Sequence, residues 1–213
     1  GQIDVAFLRT LGVDFVTKII RNFLTANEGK QINFNLFCDK VLTGDILTGL
    51  KEKKYDIGFC SKFDDEPLIE FIPVAKQDLV VIVPPGHPLA EKSEIHLEET
   101  LPYKQIIFKK RSGLRQIIDQ LFKSIGQYPD VAFEIDEDQV AAGFVANNFG
   151  ICIAPDIPIL HSLDLKILPL VSPSWQRNFY MAMLKDVYHP PVVEAFKKFV
   201  IEKTSKEIFY KTN

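Results

Sequence analysis

The chain has no excess of basic residues. Its 213 residues include 25 Lys and Arg against 28 Asp and Glu, so the formal net charge at pH 7 is -3. Tight attachment to nucleic acid needs a face of Lys and Arg that releases the counterions of the phosphates. We therefore do not expect this segment to bind DNA by itself.

Cysteine is scarce, with Cys38, Cys60 and Cys152 far apart in the sequence and each inside an apolar run. An odd number of dispersed thiols argues against a disulfide framework and against a zinc site, and it favours a reducing cytoplasm. The four histidines stand in turn-like segments without paired spacing. We therefore predict no metal site and no cofactor.

Long hydrophobic runs are also absent, and none approaches the length that spans a bilayer. The N-terminus, 1–7, has neither an initiator Met nor a charged leader followed by an apolar core. These features predict a soluble piece of a longer protein, without a membrane partner.

Strands and helices alternate in the first third of the chain. A buried strand at Ile3–Leu8 precedes an apolar stripe that starts at Val13 and recurs at three- and four-residue steps. Further strands are predicted at Gln31–Cys38 and Ile57–Cys60, with a weaker helix at Val41–Lys53 between them. This order favours a right-handed, parallel βαβ arrangement.

A second lobe is predicted to begin after the strand Leu68–Val74. The next strand, Leu79–Val83, follows after Ala75–Asp78, a polar stretch too short for a crossover helix. Its remaining strands and helices are predicted at Gln105–Phe108, Leu114–Ile125, Val131–Ile135, Gln139–Ala146 and Ile151–Ala154.

The chain is predicted to return to the first lobe after the Pro and Ser cluster of 171–174. A strand at Arg177–Leu184 and an amphipathic helix after Pro190 and Pro191 follow. The sequence therefore predicts lobe I at 1–75 and 175–213, and lobe II at 76–174. The stretches Ala75–Asp78 and 171–175 are the predicted hinges.

Three motifs, in this order and spacing, resemble the effector-binding domain of LysR-type transcriptional regulators. They are Val80–Ala90 (VVIVPPGHPLA), Ser112–Arg115 (SGLR) and Gly150–Pro155 (GICIAP). The resemblance extends from near Ile3 to near Val200.

The resemblance implies an α/β fold of two Rossmann-like lobes joined by two crossover strands, like type 2 periplasmic binding proteins. It implies that a small effector, expected to be anionic, binds in the interlobe cleft and modulates DNA binding and transcription. The winged helix-turn-helix and linker helix of the family are absent from this chain. The family also implies a homodimer, a tetramer when full length, and no enzymatic activity.

Candidate site residues in lobe I follow the predicted first strand. In open α/β lobes, ligands bind outside the carboxyl ends of parallel strands, where helices begin. The amides of Leu8, Arg9, Thr10 and Leu11 and the Thr10 hydroxyl can bind a carboxylate there. Thr10 also matches the Ser or Thr that lines the family's cleft, and the alternative is that it only caps the helix.

Arg9 departs from the family, which more often has a small residue or Pro at this place. Its guanidinium could hold a carboxylate through two hydrogen bonds. Alternatively it pairs with Asp136, Glu137 or Asp138, which follow a strand of lobe II.

Candidate residues in lobe II begin with Ser112 at the start of the strongest helix, just after Lys109, Lys110 and Arg111. This combination favours the binding of an anion. The alternative is that Ser112 only caps the helix and that the neighbouring cations are solvated. Position in the family pattern adds Ser61 of lobe I and Ile153 and Pro155 of lobe II. Glu137, which follows a strand of lobe II and is expected to face the same cleft, completes the predicted ligand-binding set.

Two other classes of protein use this fold. A dehydratase-type enzyme would use Arg9 and Thr10 in a reactive-site motif, but the chain has no His, Cys and carboxylate set with catalytic spacing. A solute-binding transport receptor is disfavoured by the three unpaired cysteines and the absent leader.

Overall fold

The structure is a computed structural model that describes residues 1–39, 41–175, 177–206, 210 and 211. Its contacts divide the chain into unit 1, the described residues of Gly1–Lys76 and Asn178–Thr212, and unit 2, those of Gln77–Arg177. The predicted lobes change over at 75/76 and 174/175, within three residues of these bounds. Gln176 and Asn213, which the prediction assigned to lobe I, lie outside the described residues.

The strands and longer helices are numbered here in chain order. They are β1 (Gln2–Phe7), α1 (Arg9–Leu11), α2 (Thr17–Ala26), β2 (Asn33–Phe37), α3 (Thr43–Lys51), β3 (Ile57–Cys60), β4 (Ile69–Gln77), β5 (Leu79–Val83), β6 (Ile95–His96), β7 (Lys104–Phe108), α4 (Gly113–Ser124), β8 (Asp130–Ile135), α5 (Asp138–Ala146), β9 (Ile151–Pro155), β10 (Lys166–Ser172), β11 (Arg177–Leu184), α6 (Pro191–Lys206) and β12 (Tyr210–Lys211). A π-helical turn, Gly12–Val16, joins α1 to α2, and 3-10 turns lie at Pro88–Glu91, Leu97–Thr100 and Pro158–Ser162. No helix in the described residues is long and apolar enough to span a bilayer.

The sheet of unit 1 has the strand order β12-β4-β11-β3-β1-β2. Its strand β1 pairs in parallel with both β2 and β3, and Val5 lies opposite Leu36 on one side and Ile57 on the other. The predicted parallel βαβ arrangement is therefore confirmed. Strand β11 returns antiparallel to β3, with Met181 opposite Phe59.

Phenylalanine rings make up much of the core of unit 1. The ring of Phe196 on α6 lies 5.0 Å from that of Phe23 on α2 and 5.1 Å from that of Phe34 on β2, with edge-on geometry in both pairs. Phe15 meets Phe59 edge-on at 5.4 Å. These contacts hold α2 and α6 against the sheet, as large aromatic side chains do in protein cores.

The prediction that the buried apolar stripe begins at Val13 is wrong. Val13 is 76% exposed, whereas Phe15 and Val16 are buried. A π-helical turn contains more residues per turn than an α-helix, so the stripe that continues at Ile19 and Phe23 falls out of phase before Gly12–Val16.

The sheet of unit 2 has the strand order β6-β10-β5-β9-β7-β8. Its strand β7 pairs in parallel with β8 and β9, and β5 pairs antiparallel with β9 and β10. The predicted helix stripe is confirmed on α4, where four apolar side chains are buried and two more pack partly buried against the core: Leu114, Ile118, Leu121, Phe122, Ile117 and Ile125.

The polar stretch Ala75–Asp78 was predicted as a connection, but β4 continues through Gln77. Ala75 is completely buried and Gln77 is 3% exposed. The buried Gln77 side chain accepts a hydrogen bond from Arg177, so its polar group is satisfied within the strand.

All three cysteines are free thiols in the structure. Cys60 and Cys152 are buried as predicted, and burial raises the pKa of each thiol above its usual value. Cys38 is only partly buried, because the edge strand β2 covers little of the residue that follows it.

Phe196→Ala should lower the free energy of unfolding by about 3–5 kcal/mol, because a cavity replaces a ring at the centre of the unit 1 core. Urea unfolding followed by circular dichroism measures this difference. Tyr188→Ala is the matched control, since its side chain is 84% exposed, and it should change the unfolding free energy by less than about 0.5 kcal/mol. Equal losses in the two variants would contradict the packing described here.

Candidate functional site

The carboxyl edge of unit 1 is the set of residues that follow β1 and β3 together with the start of α3. The Leu8 N–H donates to the Phe59 carbonyl over 3.1 Å, so the end of β1 is fixed beside the end of β3. Helix α1 begins directly afterwards, with Leu8 at the N-cap position and Thr10 inside the helix. The interpretation of Thr10 as a helix cap is therefore wrong, because Leu8 occupies that position.

Two buried hydroxyl residues meet at this edge. The Ser61 N–H, just after β3, donates to the Thr43 hydroxyl over 3.2 Å. Ser61 is 2% exposed and Thr43, the first residue of α3, is 1% exposed. Sequence reasoning found Ser61 and missed Thr43, although a Thr close to a predicted helix start after a parallel strand was the available signal.

Arg9 and Thr10 differ in exposure. Arg9 is exposed and Thr10 is partly exposed at the start of α1, whereas Leu11 is buried in the core of unit 1. Because the carboxylates of Asp136–Asp138 belong to unit 2, the predicted pairing of Arg9 with one of them stays a prediction.

The carboxyl edge of unit 2 is the set of residues that follow the parallel strands β7, β8 and β9. The Lys109 N–H donates to the Ile135 carbonyl over 3.1 Å and fixes the end of β7 beside the end of β8. Ser112 is the N-cap of α4, and its hydroxyl accepts a hydrogen bond from the Leu114 N–H over 3.2 Å. The capping role considered for Ser112 is confirmed, and its role in ligand binding stays a prediction.

Arg115 holds the turn before α4 in place. Its Nη1 donates to the Phe108 carbonyl over 2.8 Å and to Glu134 Oε1 over 3.1 Å, and its Nε donates to Asp119 over 2.9 Å. Partial burial lowers the pKa of Arg115, but the hydrogen bonds and charges of the two carboxylates outweigh it and raise the pKa. The guanidinium therefore links β7, β8 and α4 as a permanent cation.

Carboxylates also stand at this edge. Glu137 occupies the N-cap position of α5, and Asp138 is the first residue of that helix. Asp156 follows β9, and its Oδ1 lies 3.4 Å from Nε2 of the exposed His161. Sequence reasoning missed Asp156. The edge thus combines the exposed cation of Lys109 with several acidic groups.

The other two predicted residues of unit 2 lie within β9. Ile153 is 3% exposed and belongs to the apolar core, and Pro155 is buried at the end of the strand, opposite Leu79. Their contact with a ligand stays a prediction. Among the described residues, no three His, Cys, Asp or Glu side chains are grouped so that they could hold a metal ion.

Comparisons with known proteins give a consistent result. Residues 1–205 match the family model for the LysR substrate binding domain. An uncharacterized HTH-type transcriptional regulator, YybE of Bacillus subtilis, is 33% identical over 206 residues, which cover 97% of this chain and 69% of the relative. A second such regulator, MJ0300 of Methanocaldococcus jannaschii, is 28% identical over 137 residues, covering 62% of this chain and 46% of the relative.

Solved structures show the same fold. The effector binding domain of QuiR in complex with shikimate superposes with a TM-score of 0.93 at 38% identity, covering 97% of this chain and 98% of that chain. The BenM effector binding domain with its effector benzoate has a TM-score of 0.77 at 22% identity, covering 98% and 94%. The predicted α/β fold of the type 2 periplasmic-binding-protein kind is confirmed.

Thr43→Val should lower the free energy of unfolding by about 1–3 kcal/mol, because it leaves the buried Ser61 N–H without its acceptor and keeps the side-chain shape. Urea unfolding measures the loss, and amide hydrogen exchange at Ser61 should become faster. Thr17→Val, at an exposed site on α2, is the control and should change stability little. An unchanged exchange rate at Ser61 would show that the hydroxyl contact is unimportant.

Proposed function

We propose that this chain, which belongs to the LysR substrate-binding domain family, binds a small carboxylate effector at the carboxyl edges of its sheets and so modulates transcription by a longer regulator. The observation that carries this proposal is the similarity to the QuiR domain that binds shikimate, at 38% identity over almost the whole chain. Shikimate or a closely related hydroxylated carboxylate is the proposed effector class.

The two edges suit the two kinds of group on such a molecule. The start of the twelve-residue helix α4, beside Lys109, presents backbone N–H groups and a cation, which favour a carboxylate. The edge of unit 1 carries the partly exposed Thr10 hydroxyl together with the buried Ser61–Thr43 pair, and a hydroxyl such as that of Thr10 suits the hydroxyl groups of the effector. This division of roles supports a polyhydroxylated acid over a purely apolar acid.

The output of the domain is proposed to be a change in DNA binding. The chain spans 69% of the Bacillus relative and 46% of the Methanocaldococcus relative, both named as HTH-type transcriptional regulators. We propose that DNA is contacted by a segment outside this chain, in a cytoplasmic homodimer that forms tetramers when full length. We propose no catalytic role for the domain.

Effector binding can change the output only if the effector prefers one of two conformational states of the regulator. In the proposed mechanism, the bound carboxylate favours one arrangement of the helices that begin at the carboxyl edges. The gain in affinity for that state sets the largest shift that the effector can cause.

Shikimate is expected to bind the purified domain, and at about one hundred times its Kd it should stabilise the fold by about 2.7 kcal/mol. Thr10→Val and Ser112→Ala should each weaken binding by about fivefold to tenfold, because each removes one hydroxyl hydrogen bond worth about 1 kcal/mol. Isothermal titration calorimetry measures the affinities, and Thr17→Val, exposed on α2, is the control.

The methyl ester of shikimate tests the charge, since it keeps the ring and hydroxyl groups but lacks the carboxylate. It should bind at least about tenfold more weakly, in line with the loss of a charge-assisted hydrogen bond. Equal affinities for the acid and the ester, or full affinity in both hydroxyl variants, would contradict the proposed site.

A further inference from the structure

Arg177 is a buried cation at the point where the chain leaves unit 2. It is 4% exposed, and its Nη1 donates to Gln77 Oε1 over 2.7 Å. Gln77 is 3% exposed and is the first residue of unit 2, whereas Arg177 is its last described residue before the chain returns to unit 1. This side-chain hydrogen bond adds to the sheet pairing of β4 and β11, the two strands through which the chain passes between its units.

This pair lies at the carboxyl edge of unit 2. The Asp156 N–H, just after β9, donates to the Asp78 carbonyl over 3.0 Å, and Leu79 lies opposite Pro155. Gln77 immediately precedes these residues. The Arg177 guanidinium is thus held at the same edge as the starts of α4 and α5.

Asp138, the first residue of α5, interacts electrostatically with Arg177. Burial lowers the pKa of Arg177 to about 10, and the Asp138 carboxylate opposes that shift. The same carboxylate adds to burial in raising the pKa of the Cys152 thiol on β9. Arg177 is therefore protonated at neutral pH, and its charge is partly balanced by the group that opens α5.

Stability alone does not explain a buried arginine of this kind. Removing an ion from water costs several kcal/mol, and a well-packed apolar replacement is often as stable or more stable. An apolar side chain could neither donate a hydrogen bond to Gln77 nor attract the Asp138 carboxylate, as the guanidinium does. Arg115, which lies within α4, likewise links that helix to β7 and β8.

We infer that Arg177 is a positioning residue that couples the first turn of α5 to the two strands joining the units, through its hydrogen bond to Gln77 and its attraction to Asp138. The inference deepens the proposed function, since the first turn of α5 carries Glu137 of the predicted site. A change at that turn on effector binding would be transmitted to β4 and β11, where the chain crosses.

A double-mutant cycle tests the coupling without any ligand. Asp138→Asn, Arg177→Met and the double variant are compared by amide hydrogen exchange at Ala141, whose N–H donates to the Glu137 carbonyl in the first turn of α5. Each single change should speed exchange there by about tenfold, and the double change should do no more than one single change. Exchange within β7 and β8 should stay as in the wild type.

Two further variants separate this role from general stability. Arg177→Lys, which keeps the charge, should retain slower exchange at Ala141 than Arg177→Met. Arg115→Met should loosen the start of α4 and leave exchange at Ala141 unchanged. If Arg177→Met does not fold, Asp138→Asn is introduced into the wild-type chain and into the Arg177→Lys chain instead. The substitution should speed exchange at Ala141 less in the Arg177→Lys chain, and equal effects in the two chains would overturn the inference.

Shikimate affinity gives the second readout, and it should fall by about tenfold in Asp138→Asn and in Arg177→Met, without further loss in the double variant. Additive effects on exchange at Ala141, or no effect of Asp138→Asn, would overturn the inference. If wild-type protein fails to bind shikimate, the proposed effector is wrong, while the exchange cycle still supports or overturns the role of Arg177.

Discussion

Parallel pairing of β1 with β2 and β3, and of β7 with β8 and β9, is the constraint on which the rest of the structure depends. Parallel neighbours must be joined by crossovers, and β1, β2, β7 and β8 each end, on one side of their sheet, in a turn that leads into a helix. Polar residues from distant parts of the sequence are brought to that side. The candidate site follows from strand direction before any single side chain is considered.

The two edges solve the problem of burying polar groups in different ways. At the edge of unit 1, a neutral pair, Thr43 and Ser61, satisfies a buried backbone N–H. At the edge of unit 2, two arginines, Arg115 and Arg177, tie strands and helices together through charge-assisted hydrogen bonds or ion pairs. At these edges, the buried polar groups of unit 1 are thus satisfied by neutral partners, and those of unit 2 partly by charged ones.

Much of the fold could be predicted from apolar periodicity. The bounds of β3 and β11 agree with the predicted strands, and the buried face of α4 agrees with its stripe. Periodicity failed at Val13, where a π-helical turn changes the spacing that the pattern assumes. It also failed at the end of β4, where the polar composition of Ala75–Asp78 suggested a connection.

Two of the missed residues, Thr43 and Arg177, have partners that are distant in the sequence. Thr43 meets Ser61 18 residues away, and Arg177 meets Gln77 100 residues away. Arg177 belongs to no local motif, and the position of Thr43 near a helix start does not by itself indicate its contact with Ser61. Ser112 could be predicted because helix capping is local. The capping hydroxyl lies only two residues before the Leu114 N–H that donates to it, so the sequence itself indicates the cap.

The most direct test of the central claim is an NMR titration of the isotope-labelled domain with shikimate. The account predicts saturable shifts of the backbone amides that follow β1, β3, β7 and β8, including those of Thr10, Ser61 and Ser112. The amides at the opposite ends of the same strands, such as Gln2 and Lys104, should move little. Saturable shifts confined to those opposite ends would contradict it.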